Sequence, residues 1–296
     1  MTAGFRGHAV IAQVWRGVRA ETVRVGGVRS ILLFAAVPGA VVLPLIVTLG
    51  VATVAERFAS MPGSIQVTSV TTTNSVYWVI TFTVMVWAVI AAYAQATAER
   101  GGVGDTARFL FPRRWTGAMS RWIAYGVAAA ACSAVLVTVV MAALPSLYPK
   151  VYGGVDISSP EGIRFIVTVP MYAIFAVGIG IGIAAIVGHP AGAVVGLLGW
   201  TYVIENAISL LPNGYTAQGY MPFLNGIYGT GQELAFTPPW GPSGGLVYCG
   251  GVAVVLFVVG CVFLAMRGRV RSIGSRGPTS AVRGAAATSH TARSSG

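Results

Sequence analysis

"GIGIGIAAIVGHPAGAVVGLLGWTYVIENAISLLP", residues 178–212, consists of two apolar runs separated by the short turn GHPAG. Glu205 is the one acidic residue in the stretch, and no lysine or arginine occurs in it. The second run, and the first run together with the mostly apolar residues that precede it from 163, reach the ~20 residues that a helix needs to cross a ~30 Å hydrocarbon layer. The runs are continuously apolar and do not alternate with polar residues, which favours helices over the strands of a barrel. The stretch therefore predicts a helical hairpin within a membrane.

The rest of the chain has the same apolar character. Hydrophobic residues make up 55% of the sequence and charged residues only 9%, against about 25% charged in soluble domains. Mean hydropathy is +0.75. We therefore predict an all-α integral membrane protein with six transmembrane helices, at approximately 31–55, 75–98, 120–145, 163–187, 191–211 and 245–266.

The positions of the arginines predict the orientation of these spans. Six spans place the N-terminal segment, the loop after the second span and the C-terminal tail on one side, and these hold 16 of the 19 basic residues. The positive-inside rule makes that side cytoplasmic, together with both termini. The net charge of +11 is thus explained without a nucleic-acid partner. Arginine replaces lysine almost everywhere and Ala, Gly and Val abound, which favours a bacterial inner (plasma) membrane.

The chain divides into three predicted regions. Residues 1–29 form a cytoplasmic amphipathic connecting helix, residues 30–266 the six-span domain, and residues 267–296 a disordered basic cytoplasmic tail. The first region either lies in the inner interface facing lipid phosphates or serves only as an orientation signal. Its apolar positions recur at helical spacing, and they are Val10, Ile11, Val14, Trp15 and Val18.

Residues 212–244, between the fifth and sixth spans, have an unusual composition. They are rich in Gly, Pro and aromatic residues and contain one acid and no base. Such a segment is too apolar to be freely solvated and too interrupted to span. We predict that it is re-entrant, dipping into the outer leaflet against protein, where irregular backbone is tolerated.

Several function classes lack the residues they require. A P-loop needs a lysine after a glycine-rich turn, and the single lysine, Lys150, stands in "YPKVY" on the predicted outer face. No histidines cluster and no carboxylates pair at helical spacing on a span, so no metal site is predicted. The three cysteines lie within apolar runs and lack a C-x-x-C spacing. We expect a non-catalytic chain with no cofactor of its own.

Glu205 is the candidate intramembrane charge, and it is followed by Asn206. A charged acid in mid-span costs roughly 2.5–3.5 kcal/mol on insertion scales, so it needs a compensating role. Two interpretations stay open. The carboxylate pairs with Asn206, with Tyr202 or with a helix end, or else Glu205 and Asn206 contribute to a substrate path.

The loop after the second span contains "AERGGVGDTARFLFPRRW", residues 98–115. It has too many charges for a span and too many large apolar side chains for a solvated loop. If Asp105 caps a helix that ends at Pro112, a short helix lies along the inner surface with aromatics on one side. It either presents those aromatics to a cytoplasmic partner or simply contacts lipid head groups.

The order of these parts resembles the membrane subunit of ABC transporters of the type-two exporter class. In that family an amphipathic helix precedes the first span, and a coupling helix after the second span docks on the ATPase. The family pattern of a Glu, a Gly, a Thr and a Pro followed by basic residues is similar to Glu99, Gly101 (or Gly104), Thr106, Pro112, Arg113 and Arg114. The glycine-bearing fourth span, the tight turn, the small-residue fifth span and the short re-entrant helices before the sixth also have counterparts in residues 178–212 and "YMPF". Where the family often has a lysine at the start of the third span, this chain has Arg121, expected to anchor at the interface.

The resemblance implies a function and a set of partners. The chain would be the permease subunit of an ATP-driven exporter, forming the translocation path with a second permease copy or a homologue in contact with membrane lipids. ATP and Mg²⁺ would be bound by a separate ABC-type ATPase subunit. The alternatives are a carrier that works without ATP, or a membrane anchor or scaffold for a cytoplasmic partner. The implied ATPase interface comprises Glu99, Gly101, Asp105, Thr106, Arg108, Phe109, Phe111, Pro112, Arg113 and Arg114.

Overall fold

The computed structural model describes residues 3–25, 32–59, 69–100 and 113–274. All regular structure within these residues is helical. The predicted all-α architecture is confirmed, with six helices long and apolar enough to span a membrane. The N-terminal helix is Ala3–Val25, and the spans are Phe34–Phe58, Thr72–Ala98, Arg114–Leu147, Pro160–Val187, Pro190–Leu210 and Gly241–Arg267. Among the described residues of the connections, three shorter helical pieces occur, namely Pro149–Tyr152, Gly214–Gln218 and Pro222–Gly229.

The fourth span lies at the centre of the bundle. It packs against the second, third and sixth spans, and 67% of its most apolar window is buried, compared with 22% in the first and fifth spans. The first and fifth spans are therefore peripheral and present most of their apolar side chains outward.

Glycines let the central span approach its neighbours closely. A methyl group at Gly180 would lie 2.5 Å from the carbonyl oxygen of Ala88 in the second span. A methyl group at Gly182 would lie 2.6 Å from the backbone of Leu256 in the sixth. Small residues allow such backbone contact between membrane helices, so these two glycines permit the close packing of the central span.

A glycine cap and an arginine of the sixth span stabilise the turn between the fourth and fifth spans. The fourth span is capped by Gly188, whose φ of 70° is left-handed. Arg267, at the end of the sixth span, donates to the carbonyls of Ala185 and Ile186 in the last turn of the fourth. A cation at a helix C-terminus also opposes the helix dipole favourably.

We call the end of the bundle that contains the N-terminal helix, Arg114 and Arg267 the arginine-rich end. There the N-terminal helix packs along the third span, and the hydroxyl of Ser120 donates to the carbonyl of Val14 at 3.0 Å. The third span begins at Arg114, earlier than the predicted start at residue 120. The helix continues past the apolar run because the charges in its first two turns find partners within the protein.

Candidate functional site

Arg121 joins three helices at the arginine-rich end. Its Nε donates to Oε1 of Glu21 in the N-terminal helix at 2.8 Å. Its Nη1 donates to Oε1 of Gln95, near the end of the second span, also at 2.8 Å. We call Glu21, Gln95 and Arg121 the junction. It connects the N-terminal helix, the second span and the third span through one guanidinium group.

The junction is buried and well supplied with hydrogen bonds. The side chains of Arg121 and Glu21 are only 8% and 9% exposed, and Gln95 is fully buried. The second carboxylate oxygen of Glu21 accepts a bond from the Tyr125 hydroxyl at 3.4 Å and lies 3.5 Å from Nη1 of Arg24. A buried ion pair is stable only when such additional bonds satisfy its remaining polar atoms.

The junction continues to both ends of the predicted coupling segment. Nε2 of Gln95 lies 3.5 Å from Oε1 of Glu99, and the other oxygen of Glu99 lies 3.9 Å from Nη1 of Arg114. The same nitrogen of Arg114 donates to the carbonyl of Leu264 in the sixth span at 3.1 Å. The residues that flank 101–112 are thus tied to each other, to the junction and to the sixth span.

Most of the predicted ATPase interface lies outside the described residues. Within the described part, Glu99 and Arg114 form the contacts above, and Arg113 is exposed immediately before the third span. Arg121, which was expected to anchor at the interface, is buried in an ion pair with Glu21. The predicted residues outside the described part are Gly101, Asp105, Thr106, Arg108, Phe109, Phe111 and Pro112.

A second polar cluster is centred on Glu205 in the fifth span. Its side chain is completely buried. Its carboxylate accepts the backbone N–H groups of Phe223 at 3.1 Å and Leu224 at 2.9 Å, and the indole N–H of Trp200 at 2.9 Å. The two backbone donors belong to the first turn of Pro222–Gly229. Helix N-termini favour anions because these N–H groups have no partner within the helix.

The other end of Pro222–Gly229 meets a cation. Nη2 of Arg164, in the fourth span, donates to the carbonyl of Gly229 at 2.9 Å, and the hydroxyl of Thr168 donates to the carbonyl of Thr230 at 3.0 Å. An acid at the N-terminus and a base at the C-terminus both complement the helix dipole. We call Pro222–Gly229 the clamped helix, because Glu205 and Arg164 hold its two ends.

These contacts show which of the partners expected for the Glu205 carboxylate it binds in the structure. Of the pairings considered from sequence, the helix end is the one that forms, and Glu205 is bonded neither to Asn206 nor to Tyr202 by its carboxylate. The side chain of Asn206 donates to the carbonyls of Thr201 and Tyr202 within its own helix. A contribution of Glu205 and Asn206 to a substrate path stays a prediction.

Sequence reasoning missed Glu21, Gln95 and Arg164. For Glu21 a signal was present, since Val10, Val14, Gly17 and Glu21 recur at helical spacing. An acid on the inward side of a basic helix requires a partner within the protein. Gln95 and Arg164 lack a comparable local signal, because their partners belong to distant segments.

Within the residues that the structure describes, no group of three or more His, Cys, Asp or Glu side chains could hold a metal ion. What the arrangement offers is mechanical, namely charged contacts that connect helices at each end of the bundle. Comparison with known proteins adds no family name, since no family model, no curated protein and no solved structure matches this chain.

Proposed function

We propose that this chain is the transmembrane permease subunit of an ATP-driven ABC exporter, working as a dimer with a separate ATPase subunit. The observation that carries the proposal is the buried junction beside residues 99–114. The arginine-rich end would face the cytoplasm of a bacterial cell, where the ATPase binds ATP and Mg²⁺.

The contacts of the junction would allow a displacement of one helix to be passed to the two helices bonded to it. The ion pair is buried and bonded to further partners, so Glu21 and Arg121 are expected to move as one unit. Through Gln95 and Arg114, displacement of the 99–114 segment would carry the second, third and sixth spans with it. Alternating access requires this kind of concerted tilt.

The exposed apolar surfaces of the first and fifth spans are consistent with the proposed dimer. The first and fifth spans expose large apolar side chains, among them Ile46 and Val195 at more than 60%. In lipid such faces pack either against acyl chains or against another helix. A second permease copy there would enclose a path between the two subunits.

The rival functions fit these contacts less well. An ion-coupled carrier needs an intramembrane acid that is free to bind and release its ion, but both carboxylate oxygens of Glu205 already accept backbone bonds. A simple anchor or scaffold would not need a clamped helix between its last two spans. The exporter therefore remains the function that the geometry supports best.

Co-purification tests the proposal directly. The tagged full-length chain, extracted from its own cells in mild detergent, should bring down a protein with a Walker-type nucleotide site, as identified by mass spectrometry. The double variant Phe109→Asp with Phe111→Asp should lose that protein while still inserting in the membrane. The matched control is Tyr215→Asp with Tyr220→Asp, two exposed aromatics at the other end of the bundle, which should retain it.

The contrary results are equally clear. If no ATPase co-purifies in several detergents with nucleotide present, the exporter is excluded in favour of a carrier or scaffold. If the ATPase is retained by the double phenylalanine variant, residues 99–114 are not its binding site.

A further inference from the structure

An apolar groove runs between the N-terminal helix and the start of the third span. It encloses about 310 Å³ and is lined by five apolar side chains of the N-terminal helix, from Val10 to Val18, and by Trp115 and Ile123 of the third span. Its volume lies at the small end of ligand pockets, which measure about 300–1,000 Å³. The small volume and the wholly apolar lining suit a single hydrocarbon chain.

The groove is open to the surroundings along the N-terminal helix. Ile11 and Trp15 on its rim are 58% and 60% exposed, and Trp115 on the other rim is 38% exposed. Tryptophan is favoured where an apolar environment meets water at a membrane surface. The groove thus has an apolar floor with an indole on each side.

An exposed arginine lies close in sequence to each of the two tryptophans. Arg19 follows Trp15 by four residues, which places it one helical turn further along the same face. Arg113 precedes Trp115 by two residues on the opposite rim, and both arginines are exposed. At 100° per residue, Arg19 lies about 110° and Arg16 about 170° from the centre of the groove, so Arg19 is the closer of the two to its rim.

The acids described at this end do not offset those charges. Glu21 is engaged by Arg121 and Arg24, and Glu99 lies beside Arg114. The rim is therefore net positive where the apolar floor ends. A ligand that complements it has a hydrocarbon tail and an anionic head.

We propose that this groove binds one acyl chain of an anionic phospholipid from the leaflet at the arginine-rich end, with the lipid phosphate between Arg19 and Arg113. The bound chain fills the space between the N-terminal helix and the third span, next to the contact of Ser120 with Val14. The lipid becomes a third element that holds the N-terminal helix against the bundle. This role is independent of whether the chain is an exporter.

Photo-cross-linking in nanodiscs tests the site. The probe is phosphatidylglycerol with a photoactivatable group in its acyl chain, diluted in phosphatidylcholine. Cross-links mapped by mass spectrometry should concentrate at residues 10–18 and 115–123. Unlabelled phosphatidylglycerol should compete with them, whereas phosphatidylcholine and soluble glycerol 3-phosphate should not.

Matched arginine variants separate a built site from general attraction. A basic residue near an anionic lipid surface contributes about 1 kcal/mol, so Arg19→Gln should weaken competition by phosphatidylglycerol about fivefold. Adding Arg113→Gln should bring the loss to about 25-fold. Arg16→Gln removes the same charge from the same helix, about 60° further round from the groove, and should change competition less than twofold.

Three results would overturn the proposal. One is equal weakening by Arg16→Gln and Arg19→Gln, which would indicate a diffuse surface charge. The second is equal competition by phosphatidylcholine, which would leave only an apolar contact without head-group selection. The third is cross-linking of these residues to a second copy of the chain, which would make the groove a protein interface.

Discussion

Substitution of Arg121 by methionine tests whether the junction is a buried, coupled unit. Methionine keeps much of the side-chain volume but leaves Glu21 as a carboxylate that is only 9% exposed. Loss of one partner from a buried pair costs about 3–5 kcal/mol. The lower end applies, because Glu21 retains Tyr125 at 3.4 Å and Arg24 at 3.5 Å. Gln95 also loses a donor at 2.8 Å, worth about 1 kcal/mol.

We therefore expect Arg121→Met to lower the free energy of unfolding by about 3 to 4 kcal/mol. The measurement is equilibrium unfolding in mixed micelles, followed by tryptophan fluorescence. Removing both charges, in Glu21→Leu with Arg121→Met, eliminates the stranded carboxylate and should recover about 2 kcal/mol of that loss, since apolar replacement of a buried pair is often near neutral. The single variant Glu21→Leu completes the double-mutant cycle.

The reasoning fails in either of two cases. If Arg121→Met costs less than about 1 kcal/mol, the pair behaves like an exposed surface pair. If the two single losses simply add in the double variant, Glu21 and Arg121 are energetically independent in spite of the short contact between them.

Three further predictions concern other parts of the chain. Glu205→Ala leaves two backbone N–H groups of the clamped helix and one indole N–H without an acceptor. At about 1 kcal/mol per bond, it should lower the free energy of unfolding by about 3 kcal/mol in the same assay. An unchanged midpoint would show that the carboxylate is dispensable. Gly180→Ala places a methyl group against a backbone carbonyl and should lower the free energy of unfolding by about 1–3 kcal/mol. Gly251→Ala, whose methyl group meets nothing within 4 Å, is the control and should be neutral or slightly stabilising. Equal effects of the two variants would contradict the close approach of the spans. In intact cells, a membrane-impermeant maleimide should label Ser158→Cys but reach Arg113→Cys only after permeabilisation, and the reverse pattern would invert the proposed orientation.

The six spans could be predicted because each depends on a local property. A helix that crosses hydrocarbon must be long and apolar throughout, and this requirement is written in consecutive residues. The same locality allowed the N-terminal helix to be predicted from its apolar spacing. Predicted span ends were less accurate, as at Arg114, because partners elsewhere in the protein extended the helix.

The candidate sites were only partly predictable. Glu205 stood out as an intramembrane acid, and a helix end was among its foreseen partners, but nothing local indicated residues 223 and 224. Arg121 was noticed, yet its ion pair was not foreseen, because its partner Glu21 lies 100 residues away. Gln95 and Arg164 went unnoticed for the same reason.

The sequence by itself determined that this chain is a bundle of apolar helices with its arginines concentrated in three segments. Length and hydropathy suffice for that, because the membrane acts on each segment separately. Only the tertiary structure decided which charges meet, placing Glu21 on Arg121 and Glu205 and Arg164 at opposite ends of the clamped helix. A buried charge is stable only beside its partner, and the packing of helices distant in sequence determines where that partner lies.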